Sequence, residues 1–195
     1  MAPMLGIMAS QISGHLVNLA YDSIATVNVS SATSSITFSS IPSTYTHLQI
    51  RGITRSSSGN NYDNLWLRFN SDTNSNYASH YLAGNGATAD GYAWSSEAQI
   101  RSFYTTGGTA SSNVFSASVI DILDYANTSK YKTTRHLNGF DNNGTGTSNY
   151  DKGTIDLSSG LWRSTSAVSA ITFIINGGVN FTQYSSFALY GIKGA

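Results

Sequence analysis

The sequence predicts an all-β fold, an antiparallel β-sandwich or jelly roll, on three observations. Apolar and polar residues alternate at period 2 in short runs, the runs are separated by Ser, Asn and Gly clusters, and no helical pattern lies between them. At 195 residues the chain suits one such unit, large enough to sustain a core by burial and strand pairing. It has no cysteine, so neither disulfides nor thiolate metal sites contribute.

Residues 1–20 stand apart. Met4, Leu5, Met8, Ile12, Leu16 and Leu19 recur near 3.6 residues, the stripe of an amphipathic helix that Gly6 and Gly14 weaken. The stretch is not read as an export signal. No Lys or Arg precedes it, and Ser10, Gln11, Ser13 and His15 interrupt it. It is expected to be a short docking arm for assembly, on the end of its own sandwich or on a neighbour, with residues 21–195 forming the β domain.

From Tyr21 the period is 2. Ile24 to Val29 and Ser35 to Phe38 are the first strands, and Pro42 closes the second because it cannot donate to a ladder. In His47 to Arg51, Leu48 and Ile50 share one face and Gln49 and Arg51 the other; Leu65, Leu67 and Phe69 repeat this with Trp66 and Arg68 opposite. Further strands are expected at about Gln99 to Tyr104, Val114 to Leu123, Tyr131 to Leu137, Gly153 to Leu157, Ala167 to Ile175 and Phe187 to Ile192. About nine strands result. The stretches 56–61, 70–76, 84–91, 107–108 and 141–146 are rich in turn formers and read as loops, where a rigid scaffold can carry binding specificity.

Charge narrows the function classes. Only 10% of residues are charged, ten basic and ten acidic, against roughly 25% in ordinary soluble domains. That is no nucleic-acid footprint, and no apolar run is long enough for a transmembrane helix. Asn70 to Asn76 spaces oxygen side chains like the opening of a calcium loop, but Ser75 stands where glycine is needed and Tyr81 where the closing glutamate belongs. His15, His47, His80 and His136 lack zinc-site spacing. Glu97 is the only glutamate, there is no GxSxG, and Asp121 and Asp124 point to opposite faces of an extended strand, unsuited to a two-carboxylate glycosidase site. No catalytic residue, metal site or cofactor is therefore expected.

Aromatic side chains are the remaining candidates. Tyr92 and Trp94, in the loop-like stretch Asp90 to Ser95, share a side if extended and are the expected ligand contacts. Trp66, opposite the inward Leu65 and Leu67, is expected on an interface or second-sheet face.

Five segments carry a resemblance: LGIMASQISG at Leu5 to Gly14, SSITFSSIPSTYTHLQIRG at Ser34 to Gly52, LWLRFNSD at Leu65 to Asp72, DILDYANTSKYKTTR at Asp121 to Arg135, and YSSFALYGIKG at Tyr184 to Gly194. Together they resemble small jelly-roll-like structural proteins of tailed bacteriophages, frequent in marine and cyanobacterial phages and related to tail-fibre terminal domains. The resemblance implies a location on the virion exterior and no catalytic motif. Two placements follow: a tail-associated fibre or tip module whose loops touch host-surface glycans, or a capsid decoration protein cementing major-capsid subunits. A polysaccharide depolymerase is a distant third. No collagen-like or coiled-coil shaft is present, so a fibre placement narrows to a short tip or adaptor-bound receptor binder. Low charge and an outward Trp66 predict a homotrimer, partnered by itself and other virion proteins.

Overall fold

Two antiparallel sheets stack face to face in the computed structural model, which describes residues 20–194 except 145 and 147, and only the backbone of 102 and 103. The strands are β1 (Tyr21–Asn28), β2 (Ser35–Phe38), β3 (His47–Thr54), β4 (Tyr62–Phe69), β5 (Tyr77–Gly84), β6 (Ala89–Glu97), β7 (Ile100–Thr106), β8 (Ser116–Leu123), β9 (Lys132–Asp141), β10 (Gly153–Trp162), β11 (Ile171–Ile175) and β12 (Ser186–Ile192). One sheet has eight strands in the order β1-β12-β3-β8-β9-β10-β5-β6, the other four in the order β2-β11-β4-β7. This is an all-β sandwich, as the alternation predicts. The arm expected over residues 1–20, with Met4, Leu5, Met8, Ile12, Leu16 and Leu19, lies outside the described residues, save for Ala20.

Inner-face residues follow the period-2 pattern where both sheets overlap. Leu48 and Ile50 of β3, Ile120 and Ile122 of β8, and Phe187 and Leu189 of β12 meet Leu65, Leu67 and Phe69 of β4 and Phe173 of β11, all fully buried. Phe173 and Phe187 stack with ring centroids 4.2 Å apart. A Cβ at Gly52 would stand 2.6 Å from Phe187, so the close approach of that ring requires glycine.

Further along the same sheet the interior turns polar. Lys132, Thr134, His136 and Asn138 of β9 and Thr154, Asp156 and Ser158 of β10 point inward and are buried. Lys132 Nζ is satisfied by the carbonyls of Asn127, Lys130 and Thr165 at 2.7, 2.8 and 3.3 Å. Asn138 Nδ2 donates to Asp156 Oδ2 at 2.9 Å and to the Tyr104 carbonyl at 2.8 Å. Burial pushes the Asp156 carboxyl up to about 7, against the hydrogen bonds from Asn138 and the Tyr104 backbone. Burial likewise drives His136 down to about 3, so its ring is neutral near neutral pH.

Two strands were not expected: β5 and β6 form a hairpin through 77–97, where the turn-rich stretch 84–91 reads as a loop. Only four residues turn the chain. Asn85 Oδ1 accepts from the backbone of Ala87 and Thr88 and from Thr88 Oγ1, and Gly86 takes φ +82°. The strands hide from propensity because Ala, Ser, Gly and Asp dilute their tyrosines and tryptophan, and no Val, Ile or Thr occurs in either.

Long loops are tied from the sheets. The Arg55 guanidinium donates to four carbonyls, those of Gly108, Ala110, Ser111 and Val114, at 2.8 to 3.1 Å, and so folds the 107–114 loop around a single planar fork. In the calcium-like stretch, Asp72 accepts from Asn74, Asn76 and Trp162 Nε1, each at 2.8 or 2.9 Å. Its carboxylate thus anchors the turn to β10, the plain-loop role.

Candidate functional site

Eight strands lie under four, so the large sheet overhangs the small one. The small sheet ends at β7, which packs over β9, β10 and β5; β6, the free edge of the large sheet, extends beyond it. On β6 the inward positions are Asp90, Tyr92 and Trp94, registered opposite Ala83, Tyr81 and Ser79 of β5. Tyr92 and Trp94 therefore share a side, as expected, but on an edge strand rather than in a loop. Tyr92 is 60% exposed and Trp94 half-buried.

From this ledge the rings continue along the seam where β7, the edge of the small sheet, crosses the large sheet, and on to the outer side of β4. Tyr92 and Trp94 are 5.0 Å apart, and Trp94 stacks on Tyr81 at 5.4 Å with 24° between planes. Tyr81 meets the Tyr104 edge at 6.3 Å, and Tyr104 packs with Tyr62 at 5.3 Å and Tyr150 at 5.9 Å. Asp90 Oδ2 accepts from the Tyr81 hydroxyl at 2.9 Å and from Tyr150 at 3.5 Å, pinning the middle of the run to its Tyr150 end. Tyr150 sits on a one-turn helix, α1 (Asn149–Lys152), held in place by a capping box between Ser148 and Asp151. Burial, followed by neighbouring phenols or carboxylates, raises the hydroxyls of Tyr62, Tyr81, Tyr104 and Tyr150 above the usual phenol range. They are neutral at physiological pH.

Beyond Tyr62 the seam opens into a polar cleft of about 490 Å³ lined by Asn60, Asn61, Asp63, Asn64, Thr109 and Asn176, with Asp151 at its side. Asp63 is buried and accepts from Ser56 Oγ and, at 3.3 Å, from Asn60 Nδ2. Both carboxylates of the cleft are thus engaged in holding loops. Gly107 seals the wall: a Cβ there would stand 2.1 Å from the Asn60 carbonyl. The arrangement offers ring faces at one end and amide groups at the other, with the carboxylates of Asp90, Asp63 and Asp151 each already bonded to neighbouring side chains or backbone.

Trp66 faces outward on the small sheet, as expected, and is half-buried with the Arg101 guanidinium 5.1 Å above its ring. It shares that side of β4 with Tyr62 and Asn64, and Arg101 is paired with Glu97 at the end of β6 at 2.7 Å. Among the histidines, His47 Nδ1 accepts from the Asp124 backbone at 3.0 Å, His80 is exposed on the outer sheet face and His136 is buried. Asp121 pairs with Arg135 and Asp124, just past the end of β8, with Lys130. No three His, Asp or Glu side chains are grouped as a metal site among the described residues.

Sequence reasoning singles out Tyr92 and Trp94 but not Tyr62, Tyr81, Tyr104, Tyr150 and Asp90, which the fold brings beside them. These come from separate strands and the one-turn helix, so no local spacing joins them; the available signal was that tyrosine recurs throughout the chain. No family model, curated protein or solved structure matches this chain.

Proposed function

We propose that this chain is a non-enzymatic module on the exterior of a tailed-phage particle, tail-associated and homotrimeric, whose aromatic seam binds host-surface glycan. The observation that carries the binding half is the unbroken run from Tyr92 to Tyr62 ending in an asparagine-lined cleft. Sugar rings present C–H faces that pack on aromatic planes and hydroxyls that pair with amides, so this sequence of surfaces suits a neutral oligosaccharide lying along the seam. Rigid Tyr and Trp contacts also cost little conformational entropy on binding. The phage half rests on the resemblance of the five segments quoted above.

Capsid decoration is the second reading. It is favoured by the apolar outer face of the large sheet, which suits packing against other virion subunits. Imaging of the intact particle separates the two: a few tens of copies or fewer at the tail supports the first, and hundreds on the head supports the second.

The binding reading is tested on an array of bacterial lipopolysaccharide and exopolysaccharide oligosaccharides. The wild-type chain should retain a subset, release no reducing ends, and lose at least tenfold in affinity in the Tyr92→Ala/Trp94→Ala double variant. Retention unchanged in that variant overturns the site, and released reducing ends overturn the non-enzymatic reading in favour of a depolymerase.

A further inference from the structure

The outer face of the eight-stranded sheet is built, at its centre, like an interior. Val119, Leu137, Leu157 and Leu82 stand directly opposite one another across β8, β9, β10 and β5, and are 36%, 53%, 52% and 58% exposed. The adjacent row runs Ile53, Ala117, Gly139, Ile155, with Ile53 50% and Ile155 61% exposed. Gly139 interrupts this row and leaves an apolar depression of about 630 Å³ walled by Ile53, Val119, Leu137 and Ile155. On the other flank the row is polar: Gln49, Asp121, Arg135, Ser159 and His80, with Asp121 and Arg135 paired at 2.9 Å.

We propose that this face is where a second copy of the chain packs. The proposal deepens the assembly half of the reading above and is independent of the glycan site, which lies on the inward side and seam of the same sheet. Three features commit the face to self-association. First, size: eight strands at ~4.8 Å spacing and about eight residues at ~3.3 Å make a surface of roughly 1,000 Å², so a copy burying it against its two neighbours covers more than the roughly 800 Å² that one partner contributes to a standard interface. Second, layout: an apolar centre with a charged and polar rim is the anatomy of a buried interface. Third, complementarity within the face: Leu82 and Leu157 protrude beside the Gly139 depression, so the leucines of one copy can fill the depression of the next, the head-to-tail contact that a closed three-fold ring repeats. Ten positive and ten negative residues leave no net charge to hold copies apart.

The test is sedimentation velocity of the full chain at micromolar concentration, for wild type, Leu137→Glu/Leu157→Glu, and Ser35→Glu on the outer side of the small sheet. Wild type and Ser35→Glu should sediment as trimers, and the double variant as a monomer with the wild-type circular dichroism spectrum. A double variant that stays trimeric overturns the assignment of the face while leaving assembly intact. A wild-type monomer overturns both, and the face then belongs to another virion protein or to residues 1–19. Should the glutamates unfold the chain, Leu157→Ala supplies the reading: its trimer should dissociate at a concentration at least tenfold higher, and an unchanged value overturns the proposal.

Discussion

Within one sheet, β3 and β8 bury Leu48, Ile50, Ile120 and Ile122 and turn Arg51 and Asp121 outward, whereas β9 and β10 bury His136, Asn138, Asp156 and Ser158 and turn Leu137, Ile155 and Leu157 outward. The two pairs are neighbours, share one register and alternate with the same period. What differs is what lies above them. The first pair lies against an aliphatic and aromatic core; the second lies near β7, the edge of the small sheet, where the Tyr104 carbonyl accepts from the Asn138 side chain. Alternation therefore identifies a strand without saying which side is inside.

The largest effect expected from this contrast is in the apolar half. Phe173→Ala, which removes a fully buried ring stacked on Phe187, should cost about 3–5 kcal/mol in denaturant unfolding. A loss below 1 kcal/mol would show that this region is not the core.

In the polar half the pH dependence carries the test. Asp156, raised from 3.8 to about 7, gives a contribution present below pH 3.8 and lost as pH rises through about 7. His136, lowered from 6.5 to about 3, gives one present above pH 6.5 and lost as pH falls through about 3. Between pH 3.8 and 6.5 the folded chain keeps the carboxyl proton while the unfolded chain keeps the imidazole proton, so the two trends oppose and wild-type stability should be nearly flat from these groups. Asp156→Asn should expose a rise with pH across that window, and His136→Gln a fall, each approaching about 1.4 kcal/mol per pH unit. Identical profiles for wild type and both variants would contradict the buried polar layer.

Loop anchoring comes next in size. Arg55→Ala should cost about 2 kcal/mol and speed amide exchange over residues 107–114, because four carbonyls lose one charged donor. Arg55→Lys should restore only part of it, since an ammonium lacks the planar fork. The smallest effect belongs to the outer face: Leu157→Ala should change the unfolding free energy of the dissociated chain by less than about 0.5 kcal/mol, in keeping with its 52% exposure.

Much of the architecture was legible in the sequence, because Leu48 with Ile50 and Leu65 with Leu67 and Phe69 occupy alternate positions in runs bounded by turn formers. The hairpin of β5 and β6 was not, since its inward Tyr77, Ser79, Tyr81 and Ala83 carry no β-branched signal. The inward side of β9 and β10 was equally hidden, because Leu137 and Leu157 alternate with polar residues exactly as core leucines would. At the site, Tyr92 and Trp94 were legible as two aromatics one strand repeat apart. Their partners Tyr81, Tyr104 and Tyr150 were not, because tertiary folding alone brings those segments together.

The most direct test of the binding claim is to titrate an oligosaccharide retained on the array into isotope-labelled chain and follow it by NMR. The account predicts saturable shifts at Trp94 Nε1–H and at the backbone of Tyr62, Tyr81, Tyr92 and Tyr104, with Leu137 and Leu157 unmoved. Saturable shifts centred on the outer leucines, with Trp94 unmoved, would contradict it.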